Sequence, residues 1–307
     1  MASEAELQRA AELIRAGRLV AFPTETVYGL GANALDAAAV RRIFEAKGRP
    51  ETSPLIVHVD SIEMAQTVAA VWPAQAGLLA DRFWPGPLTL VLPKKPHVPE
   101  IVTAGLPTVG IRIPAHPLAL ELIRAAGVPI AAPSANRFTQ LSPTTAEHVR
   151  TGLGDRVDLI LDGGPTEVGI ESTVLSLVAA PLLLRPGMVT RAEIESVIGP
   201  IEIAGQAGEG EAHPSPGMKE RHYQPRTPLY LGGRPQGRSA YLWHTLEMPS
   251  HLSIRMPREP SGYAASLYDI LHRLDREGLE SIVVEPVPPD GEWDGIRDRL
   301  RRAAHRS

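Results

Sequence analysis

Apolar positions recur along this chain with two periods, and their alternation predicts its elements. In residues 4–17, Leu7, Ala10, Ala11 and Ile14 fall three to four positions apart, which predicts an amphipathic helix stopped at Gly17. Arg18–Phe22 is a short apolar run of strand length. Asp36–Lys47 returns to helical spacing, with Asp36 placed to accept from the first free amides. The same pattern predicts strands at 55–59, 88–92, 108–113, 128–132, 157–161, 173–178 and 181–185, and helices near 61–70, 74–83, 117–126 and 191–198. Strands alternating with helices over 1–200 predict one α/β domain with a mixed sheet.

Periodicity fails between Gly199 and Pro228, where Gly, Pro and polar residues predict a linker over 201–227. Beyond it, strands at 228–231, 239–243 and 281–285 and helices at 262–277 and 291–303 predict a small α/β domain over 228–307. There is no internal repeat. No apolar run approaches the roughly 18–20 residues that span a bilayer. The acidic start, Met-Ala-Ser-Glu-Ala-Glu, opens a helix rather than a signal peptide, so the expectation is a cytoplasmic protein.

Composition narrows the chemistry. With 31 Lys and Arg against 35 Asp and Glu, the formal charge of −4 argues against a protein that coats nucleic acid, which needs a dense basic face, though a local basic pocket is compatible with it. The absence of cysteine removes disulfides, thiolate nucleophiles and thiolate metal sites. Of the 31 basic residues only Lys47, Lys94, Lys95 and Lys219 are lysines, so a lysine inside a motif stands out.

Several segments carry candidate chemistry. Gly29-Leu30-Gly31-Ala32-Asn33-Ala34 fits a loose dinucleotide pattern, but Pro23–Tyr28 separates it from the preceding strand, which argues against a Rossmann turn. No Walker A sequence and no His-Glu-x-x-His occur, so neither a P-loop nor a catalytic zinc site is expected. Pro23-Thr24-Glu25-Thr26-Val27-Tyr28-Gly29 is a hydroxyl-rich loop at the carboxyl end of a strand, where α/β sheets place ligands; an ordinary Thr-rich turn is the alternative. Lys47-Gly48-Arg49 follows a helix and reads either as a complement to its dipole or as a phosphate clamp. Arg112, within an apolar strand, needs an anionic partner, either a structural carboxylate or a ligand. Ser134 and Asn136 end another strand in a turn, without the Gly-x-Ser-x-Gly of a serine hydrolase. Glu171-Ser172-Thr173-Val174 and Leu184-Arg185-Pro186-Gly187 complete the first domain. In the linker, Ser215–Pro225 gathers basic residues, His222 and Tyr223 where packing gives no reason for them.

Taken together, these segments resemble the threonylcarbamoyl-AMP synthase family in its long two-domain form. The resemblance is carried by Phe22–Gly31, Lys47-Gly-Arg49 with Pro54–His58, Trp84–Thr89, Val109–Pro114, Ala132–Asn136, Ser172–Val174, Arg185–Gly187 and the linker's Ser-Pro-Gly-Met-Lys and His-Tyr-x-Pro. It implies an α/β YrdC-like fold, a twisted mixed sheet with flanking helices, joined by a lid-like linker to a small Rossmann-like C-terminal domain. It also implies a nucleotidyltransferase that makes threonylcarbamoyl-AMP and pyrophosphate from L-threonine, bicarbonate or CO2, and ATP, for threonylcarbamoyladenosine modification of tRNA.

By the same resemblance, Arg112 grips the threonine carboxylate, with Thr26, His58, Ser172 and the Ala132 carbonyl on its other polar atoms. Lys47 and Arg49 face the triphosphate, with Ser53, Ser134, Asn136 and Ser142 donating nearby. Thr108, Arg185 and Tyr223 complete the nucleotide side. The expected catalytic set is Lys47, Arg49, Ser134 and Asn136. Mg2+ accompanies ATP without a dedicated protein cage, and downstream tRNA threonylcarbamoyl transferase machinery is a transient partner. No membrane contact and no stable nucleic-acid binding are expected. The alternative is an RNA-binding module on the same fold, which overall acidity opposes.

Overall fold

The computed structural model describes residues 2–205 and 223–305. The first sheet is built from β1 (Val20–Pro23), β2 (Tyr28–Asn33), β3 (Ile56–His58), β4 (Leu88–Pro93), β5 (Thr108–Arg112), β6 (Ile130–Ala131), β7 (Leu159–Ile160), β8 (Thr173–Ser176), β9 (Leu182–Arg185) and β10 (Glu202–Ile203). Their order is β10-β9-β8-β4-β5-β3-β6-β2-β1-β7, with parallel and antiparallel pairs mixed. Helices α1 (Glu4–Arg15), α2 (Ala37–Lys47), α3 (Ile62–Val68), α4 (Ala74–Phe83), α5 (Glu100–Thr103), α6 (Pro117–Ala126), α7 (Ala146–Leu153) and α8 (Arg191–Ile198) accompany it. The core runs through Leu30, Val57, Leu90 and Ile111, all fully buried in the central strands.

The second sheet, β11 (Leu229–Leu231), β12 (Ser239–Trp243), β13 (Leu252–Arg255) and β14 (Ser281–Val284), is parallel throughout in the order β11-β14-β12-β13. With α9 (Pro260–Leu274) and α10 (Asp294–Ala303) it forms the Rossmann-like layer expected from the sequence. No helix among the described residues is long and apolar enough to cross a membrane.

Most predicted elements appear within a residue or two of the expected limits. Tyr28–Asn33 is a buried strand where the sequence predicts no element. It pairs antiparallel with β1, Gly31 opposite Val20. A Cβ on Gly31 would lie 2.7 Å from the Phe22 ring and 2.9 Å from Ile130 Cγ2, so the glycine admits a neighbouring aromatic ring. Helices α5 and α7 and strands β10 and β13 are also absent from the predicted elements. They are short, and β13 alternates half-buried with exposed positions, which leaves little apolar periodicity.

The two sheets meet over a shared apolar cluster. Val27, Leu141 and Ile170 of the first unit pack with Tyr223 and with Tyr263, Leu267, Tyr268 and Ile296 of the second. Two backbone approaches fix the seam. A Cβ on Gly169 would sit 2.3 Å from the Ala264 carbonyl oxygen, and one on Gly295 would sit 2.9 Å from the Gly187 backbone.

Candidate active site

The central strands deliver their ends to one cleft. Strands β3 and β5 are parallel with His58 beside Arg112, and β6 runs antiparallel to β3, so that Ala132, Pro133 and Ser134 return along the same rim. The Ala132 amide donates to the Ile56 carbonyl at 2.9 Å, and Gly29 bridges Ser134. Thr26, Arg49, His58, Arg112, Ala132, Ser134, Ser172, Arg185 and Tyr223 line this cleft, which encloses about 530 Å³ including its open mouth. Thr24, Val27, Gly29, Ile56, Pro133 and Glu171 complete the lining, without having been assigned roles from the sequence.

The loop joining β1 and β2 is organised by Thr24. Its hydroxyl donates to the Val27 carbonyl at 2.7 Å and accepts from the Thr26 and Val27 amides at 3.2 Å, a side-chain-closed turn that presents Thr26. The anionic partner of Arg112 is the structural carboxylate of Glu25, at 2.7 Å. A second Arg112 nitrogen donates to Thr26 Oγ1 at 3.0 Å, whereas its Nε is buried without a partner. The Glu25 oxygen on Arg112 also accepts from the Ala115 amide at 3.0 Å, and its other oxygen is buried and unpartnered. A held guanidinium with donor capacity to spare is what recognition of a carboxylate requires. Burial and the Arg112 charge push His58 down to about 3, so its imidazole is neutral beside that cation.

Helix α2 starts on Asp36, whose carboxylate accepts from the Ala38 and Ala39 amides, and ends at Gly48 in the left-handed region, φ +62°. That turn brings Lys47 and Arg49 to the same side. Lys47 does not line the cleft as expected. Its ammonium donates to the carbonyls of Ser134 and Asn136, both at 2.5 Å, and so clamps the turn that forms the rim. Burial, reinforced by Arg49, holds its pKa well below the usual lysine range. Arg49 donates to Ser53 Oγ at 2.7 Å and to the Pro54 carbonyl at 3.0 Å, keeps Nε unpartnered, and is lowered by burial to about 10.

Ser53 therefore stands behind Arg49 rather than on the cleft. Asn136 donates to the Arg137 and Gln140 carbonyls, both at 2.8 Å, and its Oδ1 is buried without a partner. Ser142 is fully buried and donates to Glu171 at 2.5 Å. Thr108 opens β5, four residues from Arg112, and is not brought to the cleft; at about 3.3 Å per residue the two lie roughly 13 Å apart. On the far wall, Arg185 donates to the Ser172 carbonyl at 3.0 Å and hydroxyl at 3.1 Å, and Ser172 Oγ lies 2.8 Å from Thr89 Oγ1. Tyr223 is buried at φ +64° with its pKa raised by burial. Most of the expected lid, including Ser215–Lys219, lies outside the described residues.

Sequence comparison covers both halves. The family described as Telomere recombination (Sua5/YciO/YrdC) matches residues 12–187, and the family described as Threonylcarbamoyl-AMP synthase, C-terminal domain, matches 189–305. The threonylcarbamoyl-AMP synthase of Bacillus subtilis is 44% identical over 98% of this chain and 94% of its own length. That of Halorhodospira halophila is 37% identical but aligns with only 51% of this chain, over 82% of its own length. Among solved structures, Pyrococcus abyssi Sua5 complexed with L-threonine superposes with a TM-score of 0.93 at 42% identity, covering 99% of this chain and 95% of that one. With both halves matched and nearly the whole length aligned, the chain belongs to the threonylcarbamoyl-AMP synthase family.

Proposed function

We propose that this chain forms threonylcarbamoyl-AMP from L-threonine, bicarbonate or CO2, and ATP, and that the cleft between Arg112 and Arg185 is where it does so. The observation that carries the site is the convergence of Arg49, Arg112, Arg185 and the hydroxyls of Thr26, Ser134 and Ser172 on one rim. Threonine enters with its carboxylate on Arg112, using the guanidinium donors left over by Glu25, and with Thr26, His58, the Ala132 carbonyl and Ser172 around its amine and hydroxyl. A neutral His58 suits this position because it does not compete with the carboxylate for Arg112.

The threonine nitrogen adds to the carbon of CO2, forming a C–N bond and releasing a proton, and leaves a carbamate. A carbamate oxygen then attacks the α-phosphorus of ATP in line, and the bond to the bridging oxygen breaks as pyrophosphate departs. No protein nucleophile is required. Catalysis rests on positioning and on neutralising charge that develops on the phosphates. Arg49, Ser134, Arg185 and Tyr223 are assigned to ATP. Lys47 acts through the Ser134–Asn136 turn, whose two carbonyls it holds from behind the rim. Ser53, Asn136 and Ser142 support these groups from behind, and Thr108 completes the nucleotide side only if ATP extends along β5.

Among the described residues no three His, Asp or Glu side chains converge as a metal site. Mg2+ would accordingly enter with the ATP phosphates as part of the substrate. We divide the chain into a catalytic unit (1–200), a linker (201–227), most of which lies outside the described residues, and a C-terminal unit (228–307). We place the reaction in the cytoplasm, where a tRNA-directed transferase consumes the reactive product.

The direct test is pyrophosphate release from ATP with L-threonine and bicarbonate, compared with serine and glycine. Release that depends on both bicarbonate and threonine supports the reading. Threonine-independent ATP hydrolysis, or tight salt-sensitive RNA binding without pyrophosphate release, overturns it.

A further inference from the structure

One side chain of the C-terminal unit holds three segments behind one side of the cleft. Arg299, on α10, is fully buried. Its Nε donates to Glu171 Oε2 at 2.7 Å and one terminal nitrogen donates to the Glu171 carbonyl at 2.9 Å. The other terminal nitrogen donates to the Pro186 carbonyl at 2.9 Å and to Asp298 at 3.0 Å. Its guanidinium carbon lies 5.4 Å from the centre of the Tyr223 ring. Glu171 and Tyr223 line the cleft, while Ser172 and Arg185, also in the lining, are the chain neighbours of the groups Arg299 holds. Tyr268 adds a second donor from the same unit to Glu171 Oε2, at 3.2 Å, so the other carboxylate oxygen is left to Ser142.

A docking contact alone would not need this arrangement. The seam is already closed by apolar packing and by the glycine approaches at Gly169 and Gly295. Burying a guanidinium carries a large desolvation cost, and well-packed apolar residues often serve stability as well as a buried ion pair does. What an apolar residue cannot do is fix the directions of two backbone carbonyls, a carboxylate and an aromatic ring at once, which the planar fork of an arginine can.

We infer that Arg299 is a positioning residue of the active site, through which the C-terminal unit sets the nucleotide wall at Arg185 and Tyr223. The inference rests on the assignment of that wall to ATP made above. On the threonine side, Thr26, His58 and Arg112 are carried by the β1–β2 loop, β3 and β5, away from the groups Arg299 holds, and only Ser172 adjoins one of them. Loss of Arg299 therefore affects the two substrates unequally.

The experiment uses the full chain and four variants: Arg299→Gln, Arg299→Lys, Arg185→Ala, and Arg301→Ala as a control. Arg301 is exposed, lies two positions along the same helix and pairs only with Asp298. Expected for Arg299→Gln is a loss of about 10- to 100-fold in kcat/KM for ATP, as for a misplacement of roughly 1 Å, with the Kd for L-threonine within about twofold of the parent. Arg299→Lys should recover part of the loss and Arg301→Ala should match the parent. Arg299→Gln with parental kcat/KM, measured below its melting temperature, overturns the inference. So does an equal weakening of both substrates. Where Arg299→Gln does not fold, Arg299→Lys and Tyr268→Phe decide by the same split. If Arg185→Ala loses activity and Arg299→Gln does not, the inference alone fails. If Arg299→Gln loses activity and Arg185→Ala does not, the inference stands and the assignment of Arg185 falls.

Discussion

Arg112 shows how a single buried charge can serve both structure and ligand. Glu25 neutralises it, Thr26 orients it, and an unpartnered Nε remains. The sequence required an anion for this arginine but did not say which, and the answer sat in the loop already singled out, at Glu25. Charge-assisted hydrogen bonds contribute about 1.5–3 kcal/mol, so Arg112→Ala should raise the Kd for L-threonine by about 10- to 100-fold, measured calorimetrically, with nucleotide affinity little changed. Lys47 illustrates the opposite outcome: the residue type was legible and its target was not. Lys47→Met strips two rim carbonyls of their donor, and the expected result is a lower kcat together with a stability loss of about 1–3 kcal/mol, read from denaturant midpoints. A nucleotide analogue that restores stability to that variant without restoring turnover would separate the two effects.

At the level of elements, amphipathic helices were the easiest to read, because their apolar spacing is regular and Asp36 marks the start of α2; Ser3 and Thr190 cap α1 and α8 in the same way. The β1–β2 hairpin was the hardest. No element was predicted at Gly29 and Gly31, whereas both lie in a strand whose missing side chains make room for Phe22 and Ala132. Such a glycine is invisible to periodicity, since its reason is a neighbour distant in sequence. Gly31→Ala should destabilise the fold by about 1–3 kcal/mol, the usual range for overpacking, and Phe22→Leu in the same chain should return part of it. A Gly31→Ala protein with an unchanged thermal midpoint would mean that the ring moves aside freely.

For the whole molecule, what joins the two units carries almost no sequence signature. Nothing along the chain distinguishes Arg299 from Arg297, Arg301 and Arg302 on the same helix. The seam also holds stacked His148 and His272 rings, 3.9 Å apart, with His272 Nε2 3.1 Å from the Ser142 carbonyl and His148 Nε2 3.5 Å from Asp269. Burial, with the neighbouring imidazole, pushes His148 down to about 3, and burial lowers His272 as well. Groups whose pKa is depressed on folding bind protons more readily when unfolded. Their stabilising effect is complete above the unfolded value near 6.5 and is lost as pH falls through the depressed values, toward 3 for His148. Each such histidine contributes at most about 1.4 kcal/mol per pH unit across that window, so urea midpoints should decline from pH 7.5 to pH 5. His148→Phe, which keeps the stack and removes one titration, should show a shallower decline.

The contact of Gly295 with Gly187 has a further corollary. Where two main chains touch with no room for a methyl group, neither half can be exchanged without the other matching it to a fraction of an ångström. A hybrid that grafts the C-terminal half of a distant relative onto this catalytic half should lose stability at that point unless its backbone matches.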